Sequence, residues 1–291
     1  LGLAGFDSKE WIFDVRIYKH WVKVEEKFTS AENEVYTLHA WGYSNQSVDE
    51  ARLVAAKKLK NLKAYHSEDD NFDDQNMYAD YFERPKPEEI LSDSVMGDSA
   101  TVLVRNRYGA EILCSEKLCF VDLDYSGIWA RLGLKSMAAR SIKGRVHRVI
   151  GKNGDVSYRL YETKNGFRLV LLDRPYQAKS EFVQKLMSSL GADPLYIKMC
   201  RAQECFRARL TPKPWRCGLK NLPPEYPTTK PGTSEARSQW VSNYLVQSAN
   251  FATCKLVESV GQDRADPQLL KLCLDVHDAK CRVRFNESPL A

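Results

Sequence analysis

Two aspartates one residue apart, Asp122 and Asp124, close the apolar segment KLCFVDLDY at residues 117–125. Leu118, Phe120, Val121 and Leu123 favour a strand. In a strand both carboxylates point to one side. Like charges so placed repel unless a cation, a proton or an arginine neutralises them. Paired oxygen ligands suit Mg²⁺ or Mn²⁺, and phosphoryl or nucleotidyl transfer is the chemistry that such a pair serves. The alternative is a strand end whose acids are solvated or open the following turn.

Two basic groups can complete such chemistry. Arg159, Tyr161 and Thr163 share one face of a strand, and Arg168 sits on the next. Paired beside the aspartate strand, these arginines would face the carboxylates or a phosphate bound to them; otherwise they form a solvated polar ladder. Residues 201–220, RAQECFRARLTPKPWRCGLK, are the densest basic stretch. Arg207 and Arg209 share a strand face, prolines hold Lys213 and Arg216 nearby, and Trp215 offers a base-stacking surface. A basic run is also an ordinary wet surface.

The elements that must position these groups read as follows. Residues 11–26 alternate apolar and polar as one long strand or a hairpin, and residues 35–43 alternate again. A helix opens at a Ser47/Glu50 capping box, with Ala51, Val54, Ala55, Leu59 and Leu62 on one face and Lys57, Lys58, Lys60 and Lys63 on the other. This small β/α unit ends near Tyr65. The acidic stretch 66–74 and the prolines of 84–87 read as a linker, dividing the chain into 1–85 and 86–291. In the second part, residues 100–107, 112–113 and 118–124 predict an antiparallel meander broken at Tyr108-Gly109. A helix from Ile128 through Trp129, Leu132, Leu134 and Met137, weakened by Gly133, gives way to a basic stretch at 140–148. After a turn at 152–155, residues 158–162 and 167–172 flank Lys164-Asn165-Gly166 as a hairpin. Helices follow at 180–190, stopped by Gly191, and from Asp193-Pro194 to about Glu204. A strand at 206–210, the rigid segment 211–215 and a proline-rich loop at 222–232 precede helices at 235–247 and 267–279. The fold class expected is α+β: an antiparallel RRM-like sheet with packed helices, plus the smaller N-terminal β/α domain.

The whole chain of 291 residues carries a net charge of +5, which fits a polyanionic partner without requiring one. No apolar run approaches a membrane span and no basic-then-apolar leader is visible at Leu1, so a cytoplasmic location is the expectation. The eight cysteines include no C-x-x-C pair, which argues against a zinc ribbon, and reduced thiols are expected. A zinc site from Cys200, Cys217, Cys254 and His277 is chemically permissible but irregularly spaced. The adjacent His277-Asp278 pair reads more simply as a helix-surface feature.

A strand ending in D-x-D, followed by a polar hairpin with a glycine, resembles the catalytic core of the archaeo-eukaryotic primase superfamily over about residues 100–215. That resemblance implies an RRM-like sheet and two divalent ions, with Asp122 and Asp124 as metal ligands and Lys164-Asn165-Gly166-Phe167-Arg168 as the second motif. The superfamily carries a histidine where Arg168 stands, and only Asp173 offers a third carboxylate. The string from Cys200 to Gly218 and the closing His277-Asp278 also resemble a bacterial family of uncharacterised proteins, which implies no activity. The reading is a Mg²⁺- or Mn²⁺-dependent, primase-like nucleotidyltransferase acting on nucleotides or single-stranded nucleic acid. In it Asp122, Asp124 and Arg168 are catalytic, and Arg159, Arg207, Arg209, Lys213, Trp215 and Arg216 hold phosphate or strand. Its rival is a non-catalytic nucleic-acid binding protein with a basic RRM-like surface.

Overall fold

The computed structural model describes residues 17–29, 33–66, 86–92, 100–152, 154, 156–228, 230–261, 268–285 and 287–291. Residues 11–16 of the first expected strand, the acidic stretch from 67 onward and the expected boundary at 85 lie outside them. β1 (His20–Thr29) and β2 (Val35–Ser44) pair antiparallel, and α1 (Val48–His66) packs on both. Ser47 caps α1 by accepting from Glu50 N at 3.1 Å, while the Glu50 carboxylate takes the Ser44 hydroxyl. The close approach of strand and helix requires Gly42, where a Cβ would lie 1.8 Å from Ala51 O.

The expected meander is divided between two sheets. β3 (Glu89–Ser92), β4 (Thr101–Arg105), β5 (Glu111–Ser115) and β9 (Phe206–Arg209) form one, in the order β3-β4-β5-β9. β6 (Cys119–Asp124), β7 (Tyr158–Thr163), β8 (Gly166–Leu171) and β10 (Cys254–Val260) form the other, in the order β10-β7-β8-β6. All neighbours within each sheet are antiparallel, so the chain is α+β as its patterning predicts. The switch is local: Ser115 Oγ accepts from Lys117 N at 3.3 Å and Leu118 N at 3.1 Å, turning the chain out of β5 into the second sheet. The D-x-D strand is therefore an edge of that sheet and not part of the β4–β5 meander.

β6 and β7 are both antiparallel to the β8 between them, so they run parallel to each other and need a crossover. α2 (Gly127–Arg131) and α3 (Lys135–Gly151) supply it. Gly133, at φ +71°, separates the two helices, so the basic stretch 140–148 is helical rather than a segment following a helix. Ala138, Ile142, Val146 and Ile150, four residues apart, form the buried stripe of α3.

In the β7–β8 hairpin Thr163 pairs with Gly166, so the two turn residues are Lys164 and Asn165 and the glycine belongs to the strand. β8 is buried along its whole length. One face of the sheet presents Val121, Leu123, Leu160, Leu169 and Leu171 to a core shared with α3 and with Val183, Leu186, Met187 and Leu190 of α4 (Glu181–Leu190). Ser180 caps α4 at its start and Gly191, at φ +78°, at its end. α5 (Pro194–Gln203) follows, then α6 (Thr233–Ser248) and α7 (Gln268–Lys280). All eight cysteines are free and buried, and no helix among the described residues is long and apolar enough to cross a membrane.

Candidate functional site

The register of β6 on β8 sets Asp122 opposite Arg168 and Asp124 opposite Gly166, and Tyr161 of β7 flanks Arg168 on its other side. The two-residue period adds Arg159 to the same face. α7 covers the inner part of this face. Leu270, Cys273, Leu274 and His277 recur at helical spacing and are all buried, so His277 is a core residue and not a surface one. Its ring packs 5.3 Å from Phe120 and 5.1 Å from Tyr161.

A polar network threads this contact. Arg168, only 1% exposed, gives Nε to Asp122 Oδ1 at 2.8 Å and a longer Nη2 contact to Oδ2 at 3.4 Å. Its Nη1 donates to Arg209 O at 2.9 Å and lies 3.2 Å from His277 Nε2. A guanidinium has no acceptor, so Nε2 accepts the hydrogen bond from Arg168 Nη1 and Nδ1 carries the ring hydrogen toward Asp278 Oδ1 at 2.8 Å. Asp278 also accepts from Tyr161 Oη at 2.8 Å and Arg159 Nη1 at 3.0 Å. Burial pushes the Tyr161 phenol far up, and Asp278 adds to the rise. Cys254 and Cys281 complete the cluster. Burial alone would raise the Cys281 thiol, but the Cys254 hydrogen bond, His277 and Arg168 outweigh it and hold Cys281 well below its usual value.

Toward the turn, β6 reaches solvent. Asp124 is exposed, yet the protein around its carboxyl displaces enough water to raise its pKa, and Asp122 raises it further. Lys213, Asp193 and Arg216 are near enough to act on it, the two cations opposing the rise. Lys213 is itself lowered by burial and by the charges of Arg209 and Arg216. The basic turn is held by a short 3₁₀ helix at Pro214–Arg216, and Cys217 donates its thiol hydrogen to Pro214 O at 3.3 Å. With the Asn165 amide oriented so that donor meets acceptor, its oxygen accepts from Arg216 Nη2 at 2.9 Å, tying the basic turn to the hairpin tip. Trp215 is 51% exposed, Lys213 Nζ lies 5.5 Å from its ring centre, and Tyr108 meets it edge-on at 5.7 Å.

The structure thus brings Asp122, Asp124, Arg209, Lys213, Trp215 and Arg216 to one end of the sheet and diverts the others. Arg168 is enclosed, so it positions Asp122 and has no face free for a phosphate. Arg159 is turned into α7 by Asp278. Arg207 is buried and grips Glu88 through both terminal nitrogens, at 2.9 and 2.6 Å, and Gln203 at 2.9 Å. Asp173 lies past the Leu171 end of β8, beyond the pair that β8 makes with Cys119 at the start of β6, and accepts from Tyr176 Oη at 2.8 Å. It is far from Asp124; the further carboxylate near Asp124 is Asp193. Asp193 also caps α5 by accepting from Leu195 N at 2.7 Å, a role its Asp-Pro sequence announces without revealing the neighbour. Cys200 and Cys217 stand apart from His277, whereas Cys254 and Cys281 stand beside it. The Leu270–Cys273–Leu274–His277 periodicity is the signal that would have placed His277 inside. No protein-family model, no curated protein and no solved structure matches this chain.

Proposed function

We propose that the chain is a metal-dependent, primase-like nucleotidyltransferase acting on nucleotides or single-stranded nucleic acid at the Asp124 end of β6. The observation that supports this most is the meeting of two kinds of group at one place: same-face carboxylates on β6, and the Lys213–Trp215–Arg216 turn beside them. The donor set fits a hard cation, since Asp124 is exposed and Asp122 Oδ2 keeps only the 3.4 Å contact to Arg168. Mg²⁺ or Mn²⁺ held by Asp122 and Asp124 would supply charge neutralisation at a phosphate. Lys213 and Arg216 balance phosphate oxygens from the other side, Trp215 stacks a base, and Arg168 fixes the orientation of Asp122 from within.

The test is a Mn²⁺ titration followed by electron paramagnetic resonance, beside an assay for incorporation of labelled nucleotide on a single-stranded template. The wild-type chain should bind Mn²⁺ and incorporate nucleotide, and Asp124→Asn should lose both while keeping its circular dichroism. Incorporation that survives Asp124→Asn removes the metal role. One observation favours the non-catalytic alternative: Arg168 already neutralises Asp122. In that case single-stranded nucleic acid binds equally with and without Mg²⁺, weakens steeply with salt, and no nucleotide is incorporated.

A further inference from the structure

The structure assigns a second metal site, for a thiophilic divalent cation such as Zn²⁺, to Cys254, His277 and Cys281 beneath the sheet. These three come from the start of β10, from α7 and from the residue just after α7, and all are buried. Their ligand atoms lie within 4.8 Å of one another, with Cys254 Sγ 4.0 Å from His277 Nε2. Zinc bonds of about 2.3 Å to sulfur and about 2.05 Å to nitrogen set tetrahedral edges of about 3.8 Å between sulfurs and about 3.6 Å between sulfur and nitrogen. The Cys254–His277 edge needs a few tenths of an ångström of contraction from 4.0 Å, and the other two edges, within 4.8 Å, need at most about 1 Å.

The backbone holds the triangle closed, because Thr253 N donates to Cys281 O at 3.0 Å and Cys281 N to His277 O at 2.9 Å. The tautomer is also set. Asp278 holds Nδ1–H at 2.8 Å, which leaves Nε2, 3.2 Å from Arg168 Nη1 and 4.0 Å from Cys254 Sγ, as the nitrogen with a lone pair to offer a cation, the carboxylate–histidine–metal arrangement. Asp278 is fixed in turn by Tyr161 and Arg159. Two thiols and a carboxylate-backed imidazole select a soft or borderline cation over Mg²⁺.

Charge and proton counts close. In the bound form both cysteines are thiolates and His277 is neutral. Any thiol proton leaves to solvent as a metal–sulfur bond replaces the S–H bond, so two thiolates balance the divalent cation and the site is neutral. Arg168 remains balanced by Asp122. Its Nη1–H, now directed at Nε2, turns to Cys281 Sγ, 4.0 Å away, and becomes an N–H to thiolate bond. Arg209 O, 3.7 Å from Cys281 Sγ, is an oxygen within reach of the fourth corner. The site would tie β10 and α7 together directly behind the Arg168–Asp122 pair.

The experiment uses the full chain, expressed with zinc, purified under reducing conditions and analysed for bound metal, then stripped and titrated with Co²⁺. One zinc per chain is expected. Co²⁺ should give the intense visible bands of a tetrahedral site and a near-ultraviolet thiolate charge-transfer band. Cys254→Ser and Cys281→Ser should lose both signals, whereas Cys205→Ser, another buried cysteine well removed from the triad in sequence, should keep them. Wild-type protein without zinc and without the cobalt bands overturns the site whatever the variants do. So does recovery of Cys254 and Cys281 only as a disulfide, or equal signals in Cys254→Ser. Should the serine variants fail to fold, His277→Gln serves in their place: it is expected to weaken cobalt binding, and unchanged bands count against the assignment.

Discussion

Arg168 lies directly across the β6–β8 ladder from Asp122 and returns Nε to Oδ1 at 2.8 Å, so the first acid of the D-x-D pair is neutralised from inside the protein. The arrangement is asymmetric: the Arg168 side chain is 1% exposed and that of Asp122 is 38% exposed. Losing either partner therefore has different consequences. Asp122→Asn strands a buried guanidinium and should cost about 3 kcal/mol. Arg168→Met leaves a carboxylate that water can reach, and its cost comes mainly from the contacts to His277 and Arg209 O. Urea denaturation should rank Asp122→Asn as much less stable than Asp124→Asn, whose exposed position predicts a change within about 0.5 kcal/mol. Equal stability of the two would mean that the Asp122–Arg168 pair is not holding the sheet.

Arg207 of β9 and the basic turn that follows it should separate stability from binding. Arg207 is spent on Glu88 and Gln203, so Arg207→Ala should cost about 3 kcal/mol in stability and leave oligonucleotide affinity of the folded fraction unchanged. Trp215 is exposed beside the basic turn, and Trp215→Ala should weaken a fluorescent single-stranded oligonucleotide by about 1–3 kcal/mol with little effect on folding. Lys213→Ala should flatten the salt dependence by about 0.7 in log–log slope. Fluorescence anisotropy at several salt concentrations checks all three. Loss of binding in Arg207→Ala alone would move the strand path away from Trp215.

What the sequence disclosed and what it hid follow the range of the forces involved. The β7–β8 hairpin, the Ser180 and Gly191 caps and the Asp193-Pro194 helix start are set by neighbours a few residues away, and they stand where local patterning puts them. The facing of Asp122 and Arg168 was also within reach, because it needed only the guess that the hairpin pairs beside β6. The sheet switch after Ser115 was not legible, since a short apolar run cannot say which sheet it joins. The burial of His277 was within reach of the helical spacing of Leu270, Cys273, Leu274 and His277, but the partners of Asp278 were not, because Arg159 and Tyr161 come from a strand more than a hundred residues earlier in sequence. β10 escaped for a related reason: four of its seven residues, Leu256, Val257, Ser259 and Val260, stay exposed at a sheet edge, and its alternation is broken where the register shifts between Leu256 and Glu258.

Gly166 should be irreplaceable for reasons of space. Its φ of +159° is close to fully extended backbone, but a Cβ would lie 2.1 Å from Leu123 O and 2.8 Å from Asp124 Cα. Both atoms are backbone of the D-x-D strand and cannot rotate away. Gly166→Ala should therefore push β8 off β6 just where Asp124 is presented. The expected result is a loss of about 2–3 kcal/mol together with weaker Mn²⁺ binding. Gly144→Ala on α3, where an added Cβ meets nothing within 4 Å, should be neutral or stabilising. Thermal melts of the two variants make the comparison, and a neutral Gly166→Ala would show that the β6–β8 pairing is looser than drawn.

Acid should loosen the opposite edge of the same sheet. Glu258 of β10 accepts from Tyr158 Oη at 2.7 Å and meets His147 Nε2 of α3 at 2.7 Å. Burial would raise its pKa, but these two partners outweigh burial and hold it below the usual carboxylate range. A carboxylate depressed in the folded state binds its proton more tightly when unfolded. Its contribution is therefore complete above the unfolded pKa, near 4.3, and disappears as pH falls through the lower folded value. About 1 kcal/mol should be lost over that interval, a modest figure because the side chain is 24% exposed. Glu258→Gln keeps an oxygen for Tyr158 but cannot titrate, so its stability should be lower than wild type at neutral pH and converge with it in acid. Stability–pH curves that remain parallel would exclude Glu258 as the acid-sensitive tie between β10, β7 and α3.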